Sequence, residues 1–356
     1  MELNAIREKI DVIDTQLIGL LNARAELVHQ VGELKKAHGL EIYAPEREEA
    51  VLQALVKKSQ GGLMPASAIR AIYREIMSAA MALEKGVTIA YFGHPASWTH
   101  QAACFKFGAS VNYVSQPAIS DVFDAVAKKK ADYGVVPIEN SIEGAVNHTL
   151  DVFMDSELKI YGQVLLPIEN HLLSNVPIDK IERVYSHPQV FAQCRNWLLK
   201  NFSHVDLIEE GSTALAAKRA SSEKNAAALA GKMASEVYNL PILAESVQDA
   251  SDNTTRFLVI ANQTCPPTGD DRTSVMFSVH NHSGALYNAL RPFKDFRISM
   301  SRIQSRPSKR KVWEYCFFVD LEGHCEDAAI KKALEALSEY CTFIKILGSY
   351  PAQKDT

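Results

Sequence analysis

Hydrophobic residues change their spacing along the chain, and the first spacing is helical. Through residues 1–86 apolar side chains return every three or four positions; the first run is Ile6, Ile10, Ile13, Leu17, Leu20, Leu21, Leu27, Val28, Val31 and Leu34. This run predicts one helix of about 35 residues, roughly 50 Å long. Two shorter helices should follow in "APEREEAVLQALVKKS" and "ASAIRAIYREIMSAAMALEK". Because they cannot cover so long a stripe, we expect a homodimer or higher homo-oligomer.

After Gly86 the pattern changes to short apolar runs that alternate with helical stretches. The expected strands are "VTIAYFG", "YGVVPI", "KIYGQVLLPI", "RVYSH", "VDLIEE" and "RFLVIA". The expected helices are "DVFDAVAKKK", "PQVFAQCRNWLLKNF", "STALAAKRASS" and "NAAALAGKMASEVYN". The alternation predicts an α/β domain over residues 87–262, with a mostly parallel sheet and ligand loops at the carboxyl ends of its strands.

A third pattern follows the polar linker "NQTCPPTGDD". Strand, helix, strand, strand, helix and strand succeed one another over about 80 residues, which is the order of the ferredoxin-like unit. The chain is therefore predicted to be multidomain, with an all-α bundle at 1–86, an α/β domain at 87–262 and an α+β ferredoxin-like domain at 270–356.

Composition argues against several classes of protein. The formal net charge of −4 gives no reason to expect nucleic acid as a partner. No apolar run approaches about 18 residues, so we expect no membrane span. The charged N-terminus does not resemble a signal peptide, and the six cysteines are scattered without a CxxC pair, so we expect a cytoplasmic protein with free thiols and no metal site. Neither GxGxxG nor a Walker A motif occurs, and no cofactor is expected.

Charged residues share helix faces with apolar ones in the first domain. The faces are Arg24, Val28, Val31 and Lys35 on the first helix and Tyr73, Met77, Ala80 and Glu84 on the third. A long charged side chain at the edge of an apolar face is ordinary, because its stem can pack while its head stays in water. Charges inside a bundle need partners, however, and cations outnumber acids here, which indicates an anionic ligand.

This domain resembles the all-helical chorismate mutase family in "IREKIDVIDTQLIGLLNARAELVHQVGELK", "PERE" and "IYREIMSAAMALE". The resemblance implies an intertwined homodimer that rearranges chorismate to prephenate. It implies that Arg7 reaches the partner subunit's site and that Arg24 and Arg47 hold substrate carboxylates or their surroundings. Lys35 would contact the ether oxygen, and Glu48 would bind a hydroxyl.

Glu84 lies where some members of this family have glutamine, and Ala44 where some have aspartate. A carboxyl group can donate to the ether oxygen only when it is protonated. We therefore expect desolvation to raise the pKa of Glu84.

Polar clusters follow several of the expected strands of the α/β domain. They are "GHPASWTHQAA" (93–103), "PIENSIEG" (137–144), "SHPQ" (186–189), "STA" (212–214) and "DNTTRF" (252–257). Helix capping explains each cluster taken singly. Five clusters at strand ends indicate a site of hydroxyls, amides and one arginine, without a catalytic triad or metal-ligand spacing.

"PIENSIEGAVNHTLD" and "NTTRF" resemble prephenate dehydratase, and the likeness runs from about 87 to 262. It implies two α/β lobes with a cleft, as in periplasmic solute-binding proteins, and conversion of prephenate to phenylpyruvate. By the motif, Thr255 donates to the departing hydroxyl and Arg256, next to Phe257, anchors a carboxylate. The residues that would position the substrate are Ser97, Asn140, Ser141, Ser186 and Thr213, with Phe257 beside them.

The tetrapeptide Pro-Ile-Glu-Asn occurs twice, at 137–140 and 167–170, each time after a run that opens with Tyr-Gly. The first copy leads into "SIEGAVNHTLD" and is expected to belong to the substrate cleft. The second leads into "HLLSNVPIDK", without a hydroxyl directly after the asparagine. We interpret it as a strand that crosses toward the other lobe.

The last domain resembles the ACT amino-acid-binding domain in "HNHSGALYNAL" and "SRIQSRPSK". The expected effector is L-phenylalanine, and the residues that would bind it are Gly284, Ala285, Leu286, Gln304, Ser305, Arg306 and Pro307. Backbone N–H groups at the start of the helix can face a carboxylate. Gln304 stands where glutamate is common, so a charge that could meet the ammonium group is absent. A purely structural dimerisation domain is the alternative.

The order of the domains matches two consecutive reactions of phenylalanine biosynthesis followed by feedback control. Three alternatives remain open at this point. The chain could prefer arogenate, could be an amino-acid-sensing regulator with inactive catalytic domains, or could be an extracytoplasmic solute-binding protein.

Overall fold

The computed structural model describes residues 3–38, 43–202, 204–250, 252–280, 282–307 and 315–352. Among these, no helix combines the length and the apolar character needed to cross a membrane. The chain separates into two compact units. The first comprises residues up to Val87 together with Phe107–Asn112, and the second comprises Thr88–Lys106 and the chain from Tyr113 onward.

Among its described residues, the first unit contains three helices, as the periodicity predicts. They are α1 (Leu3–Ala37), α2 (Pro45–Ser59) and α3 (Ala66–Glu84). Both α1 and α2 pack on α3. No residue of the 35-residue α1 is buried, and the apolar stripe along it stands exposed within one chain. Gly32 marks the close approach of α1 to α3, because a Cβ there would lie 2.9 Å from Cγ of Glu84.

The segment Phe107–Asn112 completes this unit. The backbone N–H of Ser110 donates to Oγ of Ser78 at 3.0 Å, and that of Ala109 donates to Oε2 of Glu75 at 2.9 Å. Gly108, which directly precedes these two donors, adopts a φ of +73°. A loop distant in sequence thus satisfies polar groups of α3.

In the part of the chain that the structure describes, the second unit contains three sheets, and the first of them defines what we call the first lobe. Its elements are β1 (Thr88–Phe92), α4 (Trp98–Phe107), β2 (Asn112–Gln116), α5 (Ile119–Ala127), β3 (Tyr133–Asn140), β4 (Gly144–Ala145), α6 (Asn147–Asp155), β5 (Lys159–Pro167) and the later strand β11 (Thr254–Ala261). The strand order is β2-β1-β3-β11-β5, with β4 on β3. Strands β1 and β3 are parallel, but β11 runs antiparallel to both β3 and β5.

The second lobe follows β5. Its elements are β6 (His171–Ser174), a 3₁₀ turn (Ile178–Lys180), β7 (Arg183–Ser186), α7 (Pro188–Gln193), α8 (Arg195–Asn201), β8 (Asp206–Glu209), α9 (Thr213–Ser222), β9 (Ala226–Ala230), α10 (Lys232–Tyr238) and β10 (Ile242–Ala244). The sheet order is β10-β6-β9-β7-β8. The chain crosses into this lobe at the second Pro-Ile-Glu-Asn copy, as expected, but residues 168–170 connect β5 to β6 and are not themselves a strand. The chain returns through β11.

Three details of the sequence-based prediction are wrong. The stretch "PQVFAQCRNWLLKNF" is not one helix, because α7 ends at Gln193 and α8 begins at Arg195. The sheets are mixed and not mostly parallel, because β11 returns from the second lobe and enters the first sheet antiparallel between β3 and β5. The stretch "NAAALAGKMASEVYN" is not one helix, since Ala226–Ala230 forms a strand between β6 and β7. All five alanines of that strand are buried, and central position in a sheet overrides the helical preference of alanine.

The C-terminal domain has the predicted ferredoxin-like order. Its elements are β12 (Asp271–Val279), α11 (Ala285–Asp295), β13 (Met300–Pro307), β14 (Tyr315–Glu322), α12 (Ala328–Ser338) and β15 (Cys341–Pro351). The sheet order is β13-β14-β12-β15, with antiparallel neighbours. The predicted fold class is therefore confirmed: a helical domain, a two-lobed α/β domain and a ferredoxin-like domain.

The two Tyr-Gly pairs provide a test of packing in the first lobe. A Cβ on Gly134 would lie 2.7 Å from Cγ1 of Val122 and 2.8 Å from Cγ1 of Ile260, both fully buried. We predict that Gly134→Ala lowers the free energy of unfolding by about 1–3 kcal/mol, because a well-packed core does not accept an extra methyl group. The measurement is the urea midpoint of the second unit's transition.

Gly162→Ala is the matched control for this prediction. The nearest atoms to its added Cβ belong to Val259 at 3.7 Å, an ordinary contact. We expect its effect to stay within about 0.5 kcal/mol. Equal destabilisation by both substitutions would contradict the packing argument.

Candidate functional site

In the helical unit, Glu84 lies at the C-terminal end of α3 with its Oε2 buried. That oxygen has no hydrogen-bond partner among the described residues. Burial raises the pKa of Glu84, while Lys35 and His29 oppose the shift. The expected direction and cause of the shift are thereby confirmed. Lys35 and Arg24 are half-buried on the same stretch of α1, whereas Arg7 is exposed.

Glu48 is held by a residue that the sequence did not single out. The hydroxyl of Tyr43 donates to Oε2 of Glu48 at 2.8 Å. The Tyr43 ring is only 4% exposed and lies 5.1 Å from the ring of Phe107. Arg47, the neighbour of Glu48 on α2, is exposed. A tyrosine five residues before a glutamate belongs to no motif that predicts a hydrogen bond, so only the structure could reveal this contact.

In the first lobe, the structure brings together Asn140 and Thr255, which lie opposite each other in the register of β3 and β11. Nδ2 of Asn140 donates to Oγ1 of Thr255 at 2.8 Å. Oδ1 of Asn140 accepts from the backbone N–H groups of Ile142 and Glu143, each at 3.0 Å. These two donors fix the amide so that its NH₂ group faces Thr255. The Thr255 oxygen is therefore an acceptor in this pair, and its hydrogen remains available to a ligand.

Ser141 and Asn253 support this pair. The hydroxyl of Ser141 donates to the backbone oxygen of Asp252 at 2.9 Å and accepts from the N–H of Thr254 at 3.0 Å. Oδ1 of Asn253 accepts from Asn140 at 2.7 Å. Asn253 lies inside the quoted "DNTTRF" cluster but was not singled out. The signal available in the sequence was an amide residue directly before Thr254 and Thr255.

The other predicted hydroxyls serve local structure. Ser97 accepts from the backbone N–H of His100 at 3.3 Å and so caps α4. Ser186 is buried and donates to the carbonyl of Leu229 at 2.8 Å, which joins β7 to β9. Thr213 is the buried first residue of α9, directly after the capping residue Ser212. His187 also caps α7 by accepting from the backbone N–H of Gln189 at 3.3 Å. Helix capping, the ordinary interpretation of these clusters, is thus observed at three of the five.

The guanidinium of Arg256 does not face the hydroxyl of Thr255. Its Nε donates to Gln163 at 2.9 Å, its Nη1 to Asp320 at 2.5 Å and its Nη2 to the hydroxyl of Tyr350 at 2.7 Å. Burial alone would lower the pKa of Arg256, but Tyr350 and Asp320 outweigh it and raise that pKa. The guanidinium is therefore directed at the C-terminal domain.

Phe257 also lies away from the hydroxyl and amide groups. It is fully buried inside the first lobe and pairs in register with Pro137 on β3 and Val164 on β5. Its position is that of a core residue.

The predicted effector residues occupy two elements of the C-terminal domain. Gly284 adopts a φ of +81° and precedes Ala285, where α11 begins. Gln304 to Pro307 form the end of β13. Arg306 is already engaged, because its Nη2 lies 2.9 Å and 3.1 Å from the two carboxylate oxygens of Asp151 on α6.

The fold and these sites define a multidomain enzyme in which two catalytic domains precede an amino-acid-binding domain. Family models match the chain as chorismate mutase type II over residues 6–85, prephenate dehydratase over 89–265 and ACT domain over 273–339. A bifunctional chorismate mutase/prephenate dehydratase of Aquifex aeolicus is 49% identical over 354 residues, with 98% of each chain covered. The chain belongs to the bifunctional chorismate mutase/prephenate dehydratase family.

Solved structures agree with the fold of the second unit. A prephenate dehydratase from Arthrobacter aurescens in complex with L-Phe is 30% identical, covers 75% of this chain and 90% of its own, and superposes with a TM-score of 0.70. A quorum-quenching acylase is 29% identical, with 75% of this chain and 98% of its own covered, at a TM-score of 0.69. As a member of the bifunctional family, the chain carries both of its activities. It rearranges chorismate to prephenate and converts prephenate to phenylpyruvate.

The raised pKa of Glu84 generates a prediction for the mutase reaction. Below its pKa the carboxyl group is protonated and can donate a hydrogen bond; above it the group is charged and cannot. We predict that the mutase rate falls as pH rises through this raised pKa. Glu84→Gln should flatten the profile, because an amide donates at every pH. The measurement is kcat/KM for chorismate against pH.

Prephenate turnover by the same protein is the control. Its pH profile should be unchanged in Glu84→Gln, because Glu84 belongs to the other unit. A mutase profile that keeps its wild-type shape in this variant would show that the protonation of Glu84 is not required.

Proposed function

We propose that chorismate binds on the charged face of the helical domain. The rearrangement is pericyclic and needs neither a nucleophile nor a proton relay. It needs a flexible dianion held in one conformation and charge stabilisation as the ether bond breaks. Arg24 and Arg47 bind carboxylates, Lys35 and protonated Glu84 donate to the ether oxygen, and Glu48 binds a hydroxyl. The observation that supports this assignment concerns Glu84. Burial of its carboxyl group raises its pKa, and Lys35 is close enough to oppose that shift.

We further propose that a second copy of the chain covers α1. Ile10, Leu17 and Leu20 are 50%, 49% and 67% exposed within one chain. Leaving so long an apolar stripe in water is unfavourable, and a second α1 matches it in length and pattern. Arg7 lies on this exposed part of α1 and is proposed to reach the partner subunit's site.

For the dehydratase, we assign the departing hydroxyl to Thr255. As the ring carboxylate leaves as carbon dioxide, the electron pair of the broken C–C bond enters the ring, and the hydroxyl on the opposite ring carbon departs. A donor aimed at that hydroxyl stabilises its developing charge. Asn140 supports this role because it donates to Oγ1 of Thr255, leaving the threonine hydrogen for the substrate.

The carboxylates of prephenate are assigned to the remaining predicted positions. Ser97 and Thr213 stand at the first turns of α4 and α9, where backbone N–H groups and the helix dipole favour an anion. Ser186 at the end of β7 and Ser141 after β3 complete this proposed set. The anchor role predicted for Arg256 would require its guanidinium to leave Asp320, Tyr350 and Gln163, so we assign no substrate contact to it.

Thr255→Ala tests this assignment. We predict that prephenate turnover falls by about 10²- to 10³-fold, the usual effect of losing one such donor. Chorismate turnover should be unchanged. The assay follows chorismate to phenylpyruvate in ultraviolet light.

Thr255→Ser is the matched variant and should retain most of the activity, because it keeps the hydroxyl. Near-normal dehydratase turnover in Thr255→Ala would remove this residue from the mechanism.

We propose that L-phenylalanine is the effector of the C-terminal domain. The α-carboxylate would meet backbone N–H groups at the start of α11, near Gly284, Ala285 and Leu286. The ammonium group would meet Gln304 and its neighbours on β13. A relative that is 30% identical is described in complex with L-Phe, which supports this choice.

Calorimetry with L-phenylalanine, paired with prephenate assays, tests the effector. We predict binding together with inhibition of prephenate turnover. Gln304→Glu should lower Kd by up to about tenfold, because a charge-assisted hydrogen bond is stronger than a neutral one. Absence of both heat and inhibition would favour a purely structural dimerisation domain.

A further inference from the structure

Strands β3 and β11 carry charged residues on the face opposite their substrate groups. In their register Asn140 lies opposite Thr255, and Glu139 lies opposite Arg256. Neighbouring side chains on a strand point to opposite faces. Glu139 and Arg256 therefore point away from Asn140 and Thr255, toward the C-terminal domain.

Each of these two charges meets an opposite charge of that domain. Nη1 of Arg256 lies 2.5 Å from Oδ2 of Asp320 on β14. Nε of Arg302 on β13 lies 3.0 Å from Oε2 of Glu139, an ion pair without hydrogen-bond alignment. Arg302 and Asp320 are themselves opposite each other in the register of β13 and β14. We call these four residues the charge square.

The Arg256–Asp320 side of the charge square is almost dry. The two side chains are 9% and 5% exposed. The hydroxyl of Ser274 donates to the second oxygen of Asp320 at 2.5 Å, so both carboxylate oxygens are bonded. Burial opposes ionisation of Asp320, but Arg256 and the bond from Ser274 keep its pKa below the usual range. A buried pair with every group bonded allows one geometry, because any displacement leaves a charge unpaired.

We propose that Asp320 is a positioning residue for the dehydration. By fixing Arg256, it holds the preceding residue, Thr255, in register with Asn140, and Arg302 does the same for β3 through Glu139. The donor geometry of the dehydratase site is thus completed by residues of the C-terminal domain. This inference rests on the role proposed for Thr255, which the Thr255→Ala assay tests separately.

A further ion pair, outside the charge square, joins the same two parts of the chain and provides the control. Asp151 on α6 binds Arg306 on β13 through both carboxylate oxygens, with the two side chains 17% and 19% exposed. Neither strand that carries Asn140 or Thr255 takes part in this pair. Loss of it should weaken docking of the C-terminal domain without changing the register of β3 and β11.

The experiment compares Asp320→Asn with Asp151→Asn in the full-length protein. We expect kcat for prephenate to fall by between about ten- and a hundredfold in Asp320→Asn, the range for small misplacement of a catalytic group, with a smaller change in KM. In Asp151→Asn we expect kcat to stay within about twofold, as for substitutions away from the reacting groups. The urea-unfolding transition of the second unit measures the amount of folded dehydratase in each preparation.

Two results would overturn the proposal. An equal fall of kcat in both variants would show that domain docking in general matters, and not the charge square. A rise in activity or a lower KM for prephenate in Asp320→Asn would show that Asp320 withholds Arg256 from the substrate.

Arg302→Gln keeps the proposal testable if Asp320→Asn does not fold. Its partner Glu139 is 37% exposed, so the glutamate that remains can be hydrated and the variant should fold. We expect a smaller fall in kcat, about two- to fivefold, because the pair is open to water at Glu139 and constrains β3 less. An unchanged kcat in this variant would contradict a positioning role for the charge square.

Discussion

The buried guanidinium of Arg256 is the constraint on which the second unit depends. Removing one partner from a buried ion pair typically costs about 3–5 kcal/mol, since the other charge stays behind without compensation. Arg256 therefore requires Asp320 and Tyr350, two residues of the C-terminal domain, to remain against the first lobe. The surrounding core is shared in the same way. One hydrophobic cluster contains Ile160 and Leu258 of the first lobe together with Met276, Phe318 and Leu347 of the C-terminal domain. The sensor and the first catalytic lobe are consequently one packed body.

Backbone contacts tighten this arrangement where β15 passes β5. A Cβ on Gly348 would lie 2.2 Å from the carbonyl oxygen of Ile160, so only glycine permits the approach. Nζ of Lys159 donates to the carbonyl of Ile346 at 2.9 Å across the same contact. Interfaces packed to this degree change between discrete arrangements and do not deform gradually. An effector bound at β13, as proposed, would act on a strand whose Arg302 and Arg306 already pair with acids of the first lobe.

Periodicity and motif resemblance predicted the elements well and the contacts between them poorly. The three helices of the first unit and the βαββαβ order of the C-terminal domain follow from spacing alone, because each pattern records which face is apolar. The strand Ala226–Ala230 was not predicted, because an all-apolar run has no hydrophobic periodicity and alanine favours helices. The ion-pair partner of Arg256 was not predicted either, because the sequence shows that a residue is charged but not which face of the sheet its side chain occupies. One signal was present in "CFFVDLEG": an acid inside an apolar strand needs a buried cation.

The motif "NTTRF" illustrates why resemblance alone does not show which face of a strand each residue occupies. In a strand, adjacent positions serve opposite faces, so a short motif can combine two unrelated requirements. Thr255 faces Asn140, and Arg256 faces Asp320. The same reasoning applies to the first Pro-Ile-Glu-Asn copy, where Asn140 faces Thr255 while Glu139 faces Arg302. Both motifs thus place a residue of the proposed substrate site directly next to a residue that pairs with the C-terminal domain. The two functions cannot move independently, because displacing Arg256 or Glu139 displaces the residue next to it.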